Sequence, residues 1–314
     1  MPRVIDANRA EPVIRAMVGA ADVDTGPTAE QLAVIGALAA GYFEVDLDPA
    51  AVESLSPQAT AAAFVEPAQR RRVRELLVLV ELCRHPSSPS QAARVEEYCA
   101  ALGESGPGLA IARDLVDRSR AEAAADHMRF FEGAAAGPLL EPQLADRYGV
   151  SLEVPDPALA ARLRALADAA PGTLGRAYVD FYERNGFDLP GIALKSPAVF
   201  VSHDMCHVIG GYEPVGVDEI ALGAMQMGVS DTDTHWMQFL GNLGVHEAGY
   251  LDGGGTLVPK EGTLNRPGAP ETVAHAFWRG AQCTGDFTTI DHLGRAHEPL
   301  AEVRASFGIP ERER

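Results

Sequence analysis

His203 and His207 stand four residues apart, a spacing that puts both imidazoles on one face of a helix, a single turn from each other. Asp204 lies beside the first, and Glu219 follows the second after eleven intervening residues. Two neutral nitrogen ligands and two carboxylates suit one divalent metal, because imidazoles offer directional lone pairs and carboxylates offset the metal charge. With a coordination position left open, such a metal can polarise a substrate oxygen. A His-x-x-x-His pair taken alone leaves a metal site and simple packing both open.

The elements that must position these groups can be read from the flanking residues. From Ser202 to Leu222 the pattern is helix, short turn, helix: Gly210-Gly211 stops the first, and Pro214 is placed to start the second. Such a turn folds Glu219 back toward the imidazoles. The second helix continues to Val229, and an apolar-polar segment follows with Trp236, Phe239 and Leu240. Gly253-Gly254-Gly255 lacks the Lys-Ser/Thr of a phosphate loop and reads as a connector. A helix from Glu271 to Ala281 and a short one at Pro299–Arg304 close the chain.

Upstream, Leu159, Leu163 and Leu166 share a stripe, and Arg176, Tyr178, Phe181 and Tyr182 lie on a helix stopped by Gly186. Thr28 is a good N-cap with Gln31 at the capping-box position. Further helices are expected through Val52 and Leu55, along Leu76–Cys83, through Val95 and Leu102, and from Leu109 to Phe131. The arginine run Arg70–Arg74 reads as a solvated helix face. Few stretches alternate with period two, so the fold class is all-α, with two mainly helical domains. Gly and Pro between residues 132 and 157 mark the boundary. The expected division is a tail at 1–27, a bundle at 28–140, a linker at 141–156 and a metal-binding domain at 157–314. In the bundle, "apolar helix, polar break with Pro, amphipathic helix" occurs twice. The order resembles the tellurite-resistance TerB-like helical domains, with Glu44, Asp46 and Asp48 in the first break; solvated acidic loops on a plain bundle are the stronger reading.

Composition narrows the function classes. Hydrophobic residues make up 46% of the 314 and charged residues 22%, the range of a folded soluble protein. A net charge of −18 repels phosphate backbones and anionic headgroups, so nucleic acid is not an expected partner. The scattered Cys83, Cys99, Cys206 and Cys283 form no Cys-x-x-Cys pair and suit a reducing cytoplasm. No signal pattern and no membrane-spanning run are present, so the expected location is cytoplasmic, with peripheral contact at the inner face of a membrane left open.

The His-Asp-x-x-His, eleven residues, Glu pattern resembles the signature of the coenzyme Q biosynthesis protein 4 family. Pro171-Gly172-Thr173-Leu174-Gly175, Asn185-Gly186-Phe187, Gly210-Gly211-Tyr212, Trp278-Arg279-Gly280 and Pro299 through Ile309 are also similar to its segments, together covering roughly residues 157 to 310. The resemblance implies a helical fold in which His203, Asp204, His207 and Glu219 ligate a divalent metal, zinc by usual assignment, with iron or manganese as alternatives. It also implies a role in ubiquinone biosynthesis, replacing the C1 carboxylate of a prenylated hydroxybenzoate with a hydroxyl. A hydrophobic aromatic substrate, other quinone-pathway proteins and a second copy of the chain would be its partners.

Two departures bear on the substrate. Pro197-Ala198-Val199-Phe200-Val201-Ser202 stands where family members often carry Arg-Tyr, and the N-terminal helices are an addition. The alternative is a non-catalytic lipid-binding or scaffold protein with a structural metal. Weaker substrate-binding candidates are Arg279, which could pair with a carboxylate, His275 on the same helix, and His246 beside Glu247. His235 is expected to be packed, Cys206 to pack on another face from the metal pair, and His292 and His297 to be exposed.

Overall fold

Local signals decide where the helices begin. In the computed structural model, Thr28 accepts from the Gln31 backbone and Gln31 answers on the Thr28 backbone, completing the capping box of the second helix. Proline occupies one of the first two positions of six helices, where its missing N–H costs nothing. The structure describes residues 3–117, 120–134, 141–147, 155–192, 198–251 and 260–312. Among them are fourteen α-helices and no strand, only two isolated bridges. The all-α expectation therefore holds for the described residues.

The helices are α1 (Ala10–Ala21), α2 (Ala29–Ala37), α3 (Pro57–Ala63), α4 (Pro67–Leu82), α5 (Pro89–Leu102), α6 (Pro107–Asp117), α7 (Arg120–Ala134), α8 (Pro157–Arg164), α9 (Leu174–Asn185), α10 (Val199–Gly210), α11 (Gly216–Val229), α12 (Asp233–His246), α13 (Ala269–Gln282) and α14 (Leu300–Ser306). Two of them are buried on nearly every side over most of their length and are therefore central. Every residue of α4 from Arg72 to Leu82 is buried, and it packs on α1, α2, α5, α6 and α12. Along α11 only Val217 and Gly228 escape full burial, and its neighbours are α10, α12 and α13.

Small residues let α11 and α13 cross closely. A Cβ added at Gly280 would stand 2.0 Å from the Met225 carbonyl oxygen, and one at Gly228 would stand 2.4 Å from that of Phe277. The opposite side of α13 meets α2 and the π-helical turn Leu38–Tyr42, where Gly41 lies equally tight on the Ala274 carbonyl. Helices from both ends of the chain thus share a buried face. Residues 148–154 of the expected linker lie outside the described residues, as does Gly253-Gly254-Gly255.

Three local expectations need correction. Val52 and Leu55 are not helical; Ser56 caps and Pro57 begins a helix just after them. The helix expected from Leu109 to Phe131 is two, α6 and α7, packed against each other. The arginine run is not simply solvated, because Arg72 and Arg74 are buried. Arg72 pairs with Glu75 and Asp231, its guanidinium 5.8 Å from the Trp236 ring, and ties α4 to the start of α12. A charge run cannot announce this, since the acidic partner Asp231 lies far along the chain.

Candidate metal centre

α10 carries the histidines and α11 brings back the carboxylate. Gly211, at φ 75°, ends α10 in the left-handed conformation that glycine adopts without penalty. Pro214 lies in the turn, and α11 starts at Gly216 after Val215 as N-cap. The expected helix-turn-helix is present, with the second start shifted by two residues.

The turn places Glu219 against both rings. His207 Nε2 and His203 Nε2 are 3.1 Å apart, and Glu219 Oε2 lies 3.3 Å from the first and 3.6 Å from the second. Two atoms each about 2.0–2.1 Å from a tetrahedral zinc are about 3.3 Å apart. The three donors therefore have the mutual spacing that one such ion requires. Asp204, His203 and His207 also offer ligand atoms within 4.8 Å of one another. The residues present fit a divalent metal: His203 and His207 are shared by two close sets, one completed by Glu219 and the other by Asp204.

The surroundings orient each ligand. His207 Nδ1 lies 3.2 Å from the Tyr212 carbonyl, which can only accept, so Nδ1 carries the proton and Nε2 keeps its lone pair for the centre. Phe181 of α9 stacks on the same ring at 5.5 Å between centroids. Tyr182, next along α9, donates its hydroxyl to Asp204 Oδ2. From α12, the Gln238 amide lies 3.1 Å from His203 Nδ1, and Asn242 donates to the Glu219 carbonyl oxygen at 2.7 Å.

Charge within the quartet is strongly coupled. Burial opposes ionisation of Glu219, yet His207 and His203 outweigh it and hold its carboxyl well below the usual range. Burial likewise works against a charged His207, but Glu219 beside it raises the pKa above the ordinary value. Asp204 goes the other way: burial pushes its carboxyl up, against the pull of both histidines. Without a metal the pair His207–Glu219 is thus drawn toward imidazolium and carboxylate.

The far end of α10 is held by arginines. Arg304 donates to the carbonyls of Ile209 (2.8 Å) and Val208 (2.9 Å), Arg279 to Gly210 (2.8 Å), and Arg312 to Gly211 (2.8 Å). Four successive carbonyls at a helix C-terminus are satisfied by cations, as the helix dipole favours. The outlying segments also meet: Leu174 N donates to the Glu298 carbonyl at 3.0 Å, and Leu300 N to that of Gly172 at 2.9 Å. They brace the helix pair from outside.

The weaker candidates sit as follows. Arg279 is buried and spends its other donors on the Pro310 carbonyl, so it anchors α10 and the C-terminal segment. His275 stacks on Trp278 at 5.4 Å, on the more exposed side of α13. His246 is buried at the end of α12. His235 is packed between Thr232 and Thr288, and Cys206 is buried, as expected; His297 is exposed. His292 is not exposed: Glu141 takes its Nδ1 at 3.1 Å and the Phe287 carbonyl its Nε2 at 2.9 Å, both residues being fully buried. Sequence reading passed over Gln238, Asn242 and Tyr182. The signal for the first two was their polarity at four-residue spacing within an otherwise apolar helix.

No protein family matches the chain, and no curated protein matches it. A crystal structure of a protein from Nostoc punctiforme PCC 73102, provisionally named a ubiquinone biosynthesis protein, aligns with 76% of this chain and 99% of its own, at 16% identity and a TM-score of 0.36. A likeness that low carries no argument about fold or activity. Among the described residues no helix is long and apolar enough to cross a membrane.

Proposed function

We propose that the chain is a metal-dependent enzyme acting on a hydroxylated aromatic acid, and that it replaces the C1 carboxylate of a prenylated hydroxybenzoate-type ring with a hydroxyl. The observation that carries the reading is the triangle of His203 Nε2, His207 Nε2 and Glu219 Oε2, with 3.1–3.6 Å sides. The motif resemblance supplies the substrate class. The net reaction releases carbon dioxide and puts a hydroxyl on the ring; with dioxygen as the oxidant and water as a further reactant it balances with hydrogen peroxide as the second product.

His203, Asp204, His207 and Glu219 would hold the metal. When bound, it would supply Lewis-acid stabilisation of negative charge on a substrate oxygen. Glu219 and the His207 side chain are buried, whereas the His203 side chain keeps 21% of its surface. Substrate would therefore approach from the His203 side while the α11 side excludes water. Tyr182, by donating to Asp204, holds one carboxylate oxygen and leaves the other for the centre.

The test is turnover of a prenylated 4-hydroxybenzoate by the purified chain loaded separately with zinc, iron(II) and manganese(II), in air and without it. Formation of the C1-hydroxylated product with loss of carbon dioxide is the expected result. No product with any of the three metals overturns the enzyme reading.

One observation favours a second reading, a scaffold with a structural metal: Glu219 reaches from α11 to both histidines of α10, so a bound ion would cross-link the two helices. Glu219→Ala separates the two. In an enzyme it abolishes turnover and leaves the fold; in a structural site it lowers thermal stability together with metal content.

A further inference from the structure

α12 presents a polar stripe to the metal centre. Gln238, Asn242 and His246 are successive fourth residues on it and share one face. Gln238 reaches His203, and one turn on Asn242 reaches the Glu219 carbonyl. One further turn on, the His246 side chain is buried, and among the described residues neither of its ring nitrogens has a hydrogen-bond partner. Glu219, Lys260, His203 and His207 all act on the charge of its ring.

Leaving a buried polar group unpaired costs about 1–3 kcal/mol, so two free nitrogens on one buried ring call for a ligand that uses them. Burial, the largest influence, holds the His246 pKa below its ordinary value, so near neutral pH the ring is uncharged. A neutral imidazole offers one N–H and one lone pair. A hydroxyl can pair with whichever nitrogen faces it, donating to the lone pair or accepting from the N–H, whereas a carboxylate pairs only with the N–H.

We propose that His246 is a substrate-binding residue of this centre, hydrogen-bonding the ring hydroxyl of an aromatic acid whose carboxylate is held at the metal ligands. The inference rests on the metal-enzyme reading of the quartet. It assigns His246 to the substrate and not to the metal, and it makes the hydroxyl a selected feature.

The experiment uses the whole chain loaded with zinc, with 4-hydroxybenzoate and benzoate as probes in titration calorimetry. The native chain should bind the hydroxylated acid about tenfold more tightly, the equivalent of one well-made hydrogen bond. His246→Phe should bring the two affinities together while leaving benzoate binding and zinc affinity, read by chelator competition, within about threefold. Its melting temperature should equal or exceed the native value, because the substitution removes two unpaired buried nitrogens. His246→Gln, which keeps a polar atom near the position of Nε2, should restore part of the preference and covers the case in which the phenyl ring does not fit.

Four outcomes overturn the inference. A preference undiminished in His246→Phe and His246→Gln removes the hydroxyl contact. A tenfold or greater loss of zinc affinity makes His246 a metal ligand. A melting temperature lowered in both variants, with the preference intact in the surviving fold, makes it structural. A native chain that binds neither acid overturns the reading of the site itself, and this inference with it, whereas the first three outcomes leave that reading standing.

Discussion

His203 Nδ1 lies 3.1 Å from the side-chain nitrogen of Gln238, and that contact decides which nitrogen of the histidine is free. An amide N–H₂ donates, so in this orientation Nδ1 accepts and a neutral His203 carries its proton on Nε2, where the metal should be. Gln238 Oε1 meanwhile is buried without a partner. Turning the amide over resolves both: Oε1 then accepts from Nδ1–H, and Nε2 faces the centre with its lone pair. Metal loading and the Gln238 amide are thus one linked equilibrium.

Gln238→Leu should accordingly weaken zinc binding by about 10- to 100-fold, the usual cost of losing a group that orients a metal ligand. Chelator competition measures it. Gln238→Glu, which can only accept from Nδ1–H when ionised, should retain most of the affinity. Equal affinity in the native chain and Gln238→Leu would show that His203 needs no such partner.

The arginine clamp on α10 is open to a stability test. Arg304→Ala removes the donors to Val208 and Ile209, and charged hydrogen bonds of this kind are worth about 1.5–3 kcal/mol. Thermal or urea unfolding of the metal-free chain should show a loss of about 2 kcal/mol. Arg304→Lys should recover little, since a single ammonium does not reproduce the fork that spans two carbonyls.

Close crossing of α11 and α13 predicts a contrast between two glycines. Gly280→Ala puts a methyl 2.0 Å from the Met225 carbonyl, which neither helix can yield without moving its backbone, and should cost about 3 kcal/mol or more. At Gly36 on α2 the nearest atom to an added Cβ is 3.8 Å away, so Gly36→Ala should stabilise by about 0.5–1 kcal/mol. Melting temperatures that move in the same direction for both would contradict the close approach.

His127 gives the stability a pH dependence away from the metal. Burial depresses its pKa from 6.5 to about 4, and Nδ1 lies 3.1 Å from the Tyr250 hydroxyl. Because the unfolded chain binds the proton first, stability is lost as pH falls from about 6.5 to about 4, by roughly 3 kcal/mol for this group. Below pH 4 both states are protonated and its contribution is flat. His127→Gln keeps a hydrogen-bonding side chain and does not titrate, so its stability profile should lie flatter than the native one across that window. Parallel profiles would remove His127 as the cause.

The pairing of Glu141 with His292 offers a fourth measure of the fold. The carboxylate takes His292 Nδ1 and the backbone N–H groups of His292 and Leu293, all in full burial. Glu141→Ala leaves those donors unpaired and should cost about 3 kcal/mol or more. Chemical denaturation reads the loss directly.

Much of the site is local and therefore visible in the residues themselves. A four-residue step puts His203 and His207 on one face whatever surrounds them, a glycine pair ends α10, and eleven residues suffice to return Glu219 after one turn. Thr28 and Gln31 close their capping box for the same reason: each partner is within three residues of the other. What tertiary structure decided are the contacts between residues distant in sequence. Arg72 is buried because Asp231 meets it, His292 because Glu141 does, and the α10 carbonyls are capped by arginines about a hundred residues later. Periodicity cannot report such partners, since it records which face is apolar and not what covers it. The stripe Gln238, Asn242, His246 lies between the two cases: its spacing is in the sequence, but only packing of α12 against α11 brings Gln238 to His203 and Asn242 to the Glu219 carbonyl.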